Sequence, residues 1–258
     1  MNRLIEINKV YNCMVESFIP KIKTESIDLV IADPPFNLSK KYDNFSDNIK
    51  QKKYLENCDF WIKHCFRVLK STGCLWIYCS SNLLYDFLHL GKKYGKHQNT
   101  IVWKYANPIP DKKRFQKTWS PWLLFSKSDN FTFNDNFSKS IESITKNRKN
   151  LKTPIYDIWE DIPKLVGGFL AQPEVILKPN TKKRLFVYQL PILLLKRIIS
   201  YTSSPGEIVL DLFSHSGTTS YTAKLLKRNF IAVEQSKFYC DTIKKRLNKN
   251  NKGFLHDF

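Results

Sequence analysis

The chain is short of glycine, with 8 in 258 residues, and of acidic groups, with 23 Asp and Glu against 42 Lys and Arg. No Gly-x-Gly-x-x-Gly turn and no Walker lysine are present, which argues against a polyphosphate cradle. The six cysteines (Cys13, Cys58, Cys65, Cys74, Cys79 and Cys240) form no Cys-x-x-Cys pair, and the five histidines stand at no metal-ligand spacing. A metal site is therefore not expected, and reduced thiols in a cytoplasmic protein are. No apolar stretch approaches the length of a membrane span, and the amino terminus has no signal-peptide core, so no membrane partner is expected.

What remains is a globular composition, 42% hydrophobic and 14% aromatic, with a formal charge of +19. Such a field favours a polyanion, nucleic acid first. The length fits one elaborated domain, 1–258.

Up to Lys104 the apolar pattern alternates between strand and helix. Ile27–Ala32 and Cys74–Cys79 read as buried strands, and Gln51–Leu69 carries one apolar stripe at helical spacing. A helix is expected over Leu83–Tyr94 and a strand over Thr100–Tyr105. From 106 to 184 the regularity fails. Prolines recur, Trp122–Phe125 is the one strand expected, and Lys104–Arg184 holds 16 Lys and Arg against 8 Asp and Glu. Trp119 and Trp122 read as core residues, and Lys139–Lys152 as the least patterned stretch. Order then returns: helix at Pro191–Tyr201, strand at Ile208–Leu210, helix at Gly217–Lys227, strand at Phe230–Val233 and a basic helix at Ser236–Leu247. Strand–helix alternation of this kind defines an α/β fold with a doubly wound, mostly parallel sheet.

Two motifs carry chemistry. Asp33-Pro34-Pro35-Phe36 follows the first buried strand, so a carboxylate stands at a carboxyl end, where open α/β sheets bind ligands. The prolines hold the backbone extended and free of helical bonding, and an aromatic ring comes next. An acceptor, a stiff backbone and a ring suit a flat molecule bearing an amino group. The second motif, Asp211-Leu212-Phe213-Ser214-His215-Ser216-Gly217-Thr218-Thr219, is a strand end, a tight turn and a helix start. Small hydroxyl residues and a glycine there let backbone N–H groups approach a ligand. Glu234 ends the next strand 23 residues after Asp211, an interval suited to a ribose diol. A nucleoside without a polyphosphate is the ligand these residues describe.

Together the two motifs resemble the β group of DNA amino-methyltransferases, related to the adenine-N6 enzymes of restriction–modification systems. In that group Asp-Pro-Pro-Tyr/Phe precedes Asp-x-Phe-x-Gly-Ser-Gly-Thr-Thr, the order found here. Asn12-Cys13 matches the group's adenine-contacting position ahead of the first strand, and Gln189-Leu190-Pro191 matches the segment written His-Pro-Thr-Gln-Lys-Pro. The resemblance implies a Rossmann-like class I methyltransferase fold of seven strands in permuted motif order, with S-adenosyl-L-methionine as cofactor. Asn12, Cys13, Asp33, Gln189, Asp211, Phe213, His215, Ser216, Gly217, Thr218, Thr219 and Glu234 would bind that cofactor. Asp33, Pro34, Pro35 and Phe36 would be catalytic, acting on a flipped-out adenine. The basic stretch 106–184 takes the place of the target-recognition region. Lys112, Lys113, Arg114 and Lys117 are its candidates for DNA contact, Arg114 for a base edge. DNA is the implied partner, with a homodimer and a cognate restriction endonuclease as further expectations. A cytosine-N4 enzyme and a catalytically weak DNA-binding subunit are the alternatives. Asp33 favours adenine, since the cytosine enzymes usually carry serine there. Three departures stand out: His215 replaces a glycine, and Phe186 and Leu190 replace the segment's histidine and lysine. Loss of that lysine removes a charge-assisted contact worth about 1.5–3 kcal/mol unless another group compensates.

Overall fold

A computed structural model describes residues 5–40, 46–109, 113, 115–135, 156–166, 173–178 and 180–248. Lys112, Arg114 and the stretch 139–152 lie outside the described residues.

The strands are β1 (Lys9–Asn12), β2 (Ile27–Ala32), β3 (Leu69–Tyr78), β4 (Lys96–Ile109), β5 (Lys117–Ser126), β6 (Ile158–Trp159), β7 (Ile208–Asp211) and β8 (Asn229–Glu234). They form one sheet in the order β1-β8-β7-β2-β3-β5-β4-β6. The five strands from β1 to β3 pair in parallel, β5 runs antiparallel to β3 and β4, and β6 is parallel to β4. The sheet is thus mostly parallel, as expected, but has eight strands rather than seven. The additional β6 is two residues long, and its pairing of Val102 with Ile158 and Trp103 with Trp159 is a tertiary event with no periodicity to announce it.

β1 is a further correction. Asn12 does not precede the first strand but ends one, paired with Glu234 at the edge of the sheet. Only four residues long and exposed at both ends, β1 carries no buried run. The strand expected at Trp122–Phe125 is β5, which starts earlier, at Lys117, and lies between β3 and β4 in the sheet. Pro121 obscured its first half; Trp122–Phe125, the half expected, are fully buried.

Helices cover both faces. On one lie α1 (Val15–Phe18), α2 (Gln51–Val68) and α3 (Leu84–Lys92); on the other α4 (Ile192–Thr202), α5 (Thr218–Leu225) and α6 (Lys237–Asn248). The pleat divides the strand residues accordingly. Val30, Ala32, Leu75, Ile77, Leu210 and Val233 join the α2 cluster, while Leu29, Ile31, Cys74, Trp76, Val209 and Ala232 join the α4 cluster. All six residues of β2 are buried, which is why Ile27–Ala32 reads as a nearly continuous apolar run. α2 turns Cys58, Ile62, Cys65 and Phe66 inward at helical spacing. Segment 156–166 is fastened to the sheet by the Trp103 indole, which donates to the Ile162 carbonyl at 2.7 Å, and by the ion pair of buried Arg197 with Asp161.

Candidate active site

β2 and β7 are neighbours, with Ile31 opposite Asp211, so both motifs emerge side by side at the carboxyl ends of the central strands. Between them lies a cleft lined by Ile31, Asp33, Tyr188, Leu190, Asp211, Phe213, Ser214, His215, Ser216, Thr218 and Thr219. Motifs almost 180 residues apart in the chain therefore share one site.

Two acids occupy its floor. Burial holds the Asp33 carboxyl well above the usual carboxylate range, and the charge of Asp211 raises it further. Burial likewise pushes Asp211 up to about 7, although Thr219 and the Phe213 N–H hydrogen-bond to it. Like charges in a dry site disfavour double ionisation. A cationic ligand would reverse both effects, so the pair suits a positively charged guest.

The loop after Asp211 is locally built. Gly217 caps α5 at φ +72°, and a Cβ there would meet Ile243 at 2.7 Å, so both conformation and space require glycine. His215 takes φ +44°, a left-handed conformation that glycine adopts freely. Its ring is held among aromatics, edge-on to Phe186 at 4.8 Å and to Tyr239 at 5.4 Å. Burial lowers its pKa to about 4. The imidazole is therefore neutral near pH 7 and does not replace the charge of the missing lysine. Phe186, another departure, supplies a wall of this aromatic box.

Glu234 accepts from the His215 N–H at 2.8 Å and the Ser236 N–H at 2.7 Å, one bond on each oxygen. Asn12 donates its amide to the carbonyls of Glu234 and Gln235, and the Cys13 N–H bonds the Glu234 carbonyl at 3.2 Å. These two residues clasp the end of β8 and do not line the cleft. Gln189 also stays out of it. Its amide spans the Ile176 N–H and the Glu174 carbonyl, while its neighbours Tyr188 and Leu190 face the cleft.

On the opposite side of Asp33 the tetrapeptide is braced. The Tyr54 hydroxyl of α2 donates to the Pro35 carbonyl at 2.8 Å, leaving Pro34 as the tetrapeptide's candidate backbone acceptor. The Phe36 ring stands 5.5 Å from Tyr78, tilted by 61°. The following turn is closed by Asn37, which exchanges two hydrogen bonds with Ile49, and by buried Asp47, which accepts from the Leu38 and Lys40 N–H groups. Of the candidate DNA contacts, Lys113 and Lys117 are exposed, and Lys117 donates to the Ser80 hydroxyl at 3.3 Å.

Three supporting residues escaped the sequence reading: Tyr54, Tyr78 and Arg246. Arg246, from α6, donates to the Ser216 carbonyl at 2.9 Å and the Thr218 hydroxyl at 3.1 Å, with its guanidinium over the Tyr221 ring. Each comes from an element distant in sequence. The aromatic spacing of α2 and the basic face of α6 are visible in the chain, but not their targets.

A doubly wound sheet with a loop, a helix start and an acid at successive strand ends defines a class I methyltransferase-like fold. Residues 27–245 match the family described as DNA methylase, which also takes in the acidic tetrapeptide, and the chain belongs to that family. It is 32% identical over 235 residues to the DNA adenine methyltransferase YhdJ of Escherichia coli, covering 86% of this chain and 76% of that protein. It is 31% identical over 249 residues to the type II methyltransferase M1.MboII of Moraxella bovis, covering 92% and 95%. Among solved structures, the M1.HpyAVI–SAM complex superposes with a TM-score of 0.60 at 25% identity, covering 93% of this chain and 99% of that one. The PvuII cytosine-N4 DNA methyltransferase shares the fold at a TM-score of 0.69 and 18% identity, covering 95% and 92%.

Proposed function

We propose that this protein transfers a methyl group from S-adenosyl-L-methionine to the N6 amine of an adenine flipped out of DNA. The observation that carries the reading is the shared cleft, in which the Asp33 carboxyl and the Asp211–Thr219 loop meet. The residues fit the cofactor. Two acids suit the sulfonium and ammonium charges, Glu234 at the end of β8 is a carboxylate suited to the ribose hydroxyls, and hydroxyls at the start of α5 suit the amino-acid tail. Bound cofactor supplies the activated methyl group.

The chain's own residues prepare the nucleophile. An adenine amine is weak because its lone pair is delocalised into the ring. Asp33 accepts one amine proton in a hydrogen bond and the Pro34 carbonyl accepts the other, which returns the lone pair to nitrogen. Phe36 stacks on the base, a contact worth about 1–3 kcal/mol. Tyr54 fixes the neighbouring carbonyl so that the tetrapeptide keeps its shape. Positioning for in-line attack then does much of the remaining work.

The reading includes one methyltransferase domain in the cytoplasm, target recognition by the 106–184 region, and a place in a restriction–modification system with a cognate endonuclease. A homodimer belongs to the same expectation. Among the described residues no helix is long and apolar enough to cross a membrane. The test is incubation with labelled cofactor and unmethylated bulk DNA, followed by nucleoside analysis. Labelled N6-methyl-2′-deoxyadenosine is expected. Label in N4-methylcytosine, or none in DNA, would overturn the adenine assignment.

A further inference from the structure

The cleft offers two acids to the cofactor's cationic groups, yet its own wall carries no cation for the carboxylate. Among the described residues that line it there is no Lys or Arg. Leu190 stands at the position of the usual lysine, and the His215 ring is neutral near pH 7. A cation reaches two of the lining residues from outside the cleft. The Nη1 of Arg246, in α6, donates to the Ser216 carbonyl at 2.9 Å and to the Thr218 hydroxyl at 3.1 Å. Its guanidinium lies 4.8 Å from the centre of the Tyr221 ring, one turn further along α5. Burial lowers its pKa to about 10, against the charges of Glu174 and Tyr221, so the group is a cation at neutral pH. Glu174 is itself engaged by the Ile192 N–H at 2.7 Å.

The hydroxyls of Ser216 and Thr218 are both buried and stand 3.1 Å apart. Each has one proton to give. Sharing a single bond, the pair uses one proton and keeps the other, and neither hydroxyl donates to a further group among the described residues. Thr218 already accepts from Arg246, so the spare proton belongs to a pair polarised by the guanidinium, whichever oxygen carries it. A polarised O–H in a cleft is matched by an anionic acceptor. The anion that arrives with a sulfonium and an ammonium is the carboxylate of the same amino-acid tail.

We propose that Arg246 is the positioning residue that stands in for the missing lysine, its charge carried to the cofactor's carboxylate through the Thr218 and Ser216 hydroxyls. This rests on the methyltransferase reading above and names the group that completes its cofactor site. The charge acts through a hydroxyl instead of a direct ion pair, so position 190 is free to be apolar. Arg246 therefore contributes to the preference for a ligand that has a carboxylate, and not only to the shape of the turn.

The experiment measures, by calorimetry, the affinity of two ligands for the wild type, Arg246→Gln and Arg246→Lys. One ligand is S-adenosyl-L-methionine; the other is its decarboxylated form, which keeps the sulfonium and the amine but has no carboxylate. Both variants retain a donor for the turn and differ in charge. The wild type is expected to prefer the complete cofactor by at least about 10-fold, the scale of one charge-assisted contact. Arg246→Gln should lose about 10-fold in affinity for the complete cofactor and little for the decarboxylated one, so that the preference collapses. Arg246→Lys should keep most of it. Thr218→Val interrupts the same path at its far end and carries the test if the glutamine variant does not fold; its preference should fall too. Equal weakening of both ligands in Arg246→Gln would show that Arg246 only braces the turn, and overturns the proposal. So does an unchanged preference in Arg246→Gln or Thr218→Val, or a wild type that does not distinguish the ligands. A wild type that binds neither ligand overturns the cofactor reading itself.

Discussion

The two sides of the cleft are built in different ways. Most of the cofactor side is a local product: β7, the Ser214–Gly217 turn, α5, β8 and Glu234 fall within Ile208–Glu234, with Tyr188, Leu190 and Arg246 added from outside that run. The side proposed to face the target base is assembled from other elements, with Tyr54 of α2 on the Pro35 carbonyl and Tyr78 of β3 against Phe36. A ligand handled by backbone groups and strand-end acids can be held by one short strand–turn–helix run. A base that must be stacked, polarised and kept out of a duplex needs side chains from several directions.

That contrast is sharpest at Asp33, where the sides meet. Asp33→Ala removes the amine acceptor and leaves the Tyr54 clamp on Pro35 in place. Methyl transfer should fall by at least about 10²-fold, the scale seen when one preorganised electrostatic partner is deleted. Folding, judged by thermal unfolding, and DNA affinity should be retained. An active Asp33→Ala protein would remove the role assigned to this residue.

Arg246→Met probes the cofactor side alone. The loss of its hydrogen bonds to Ser216 and Thr218 loosens the turn without touching Phe36 or Tyr78. The expected result is a cofactor KM raised about 10-fold, equivalent to about 1.4 kcal/mol, with kcat at saturating cofactor and DNA affinity unchanged. Arg246→Lys should recover part of the loss. A fall in kcat with KM unaltered would show that the two sides are not separable at this residue.

The same division explains what could be read from the chain. β2 was legible to the residue because a strand covered on both faces is a continuous apolar run. The Asp211–Thr219 turn was legible because glycine and small hydroxyl residues mark it locally. β1 and β6 were not, since four and two residues at sheet edges carry no period. The placement of Asn12 and Gln189 was missed for a related reason. Their positions suit ligand contact, yet their amides complete backbone hydrogen bonding at the ends of β8 and in the 174–176 turn. His215 shows what residue type alone conceals. It occupies a glycine position, but Phe186, itself a departure, and Tyr239 enclose its ring, so the substitutions at 215 and 186 belong to one packing solution.

The smallest expected effect concerns protons. Asp33 and Asp211 are both held above the ordinary carboxylate range, chiefly by burial, with Asp211 near 7. A cationic cofactor favours their ionised forms, so binding releases protons and cofactor affinity rises with pH through the region around 7. Calorimetry from pH 5.5 to 8.5 in buffers of different ionisation enthalpy should show a Kd that tightens by at most about tenfold per pH unit for each proton released. For the free protein the sign is opposite. An acid whose folded pKa is raised contributes stability that is fully present below its unfolded pKa, near 3.9, and is lost as pH rises toward the folded value. Asp211→Asn keeps an acceptor for the Phe213 N–H but cannot ionise, so it should flatten both profiles. If the cofactor Kd of the wild type is already independent of pH, the paired acids are not coupled to the cofactor's charge. The division between a cofactor side and a base side would then need another account of why two carboxyls share the floor between them.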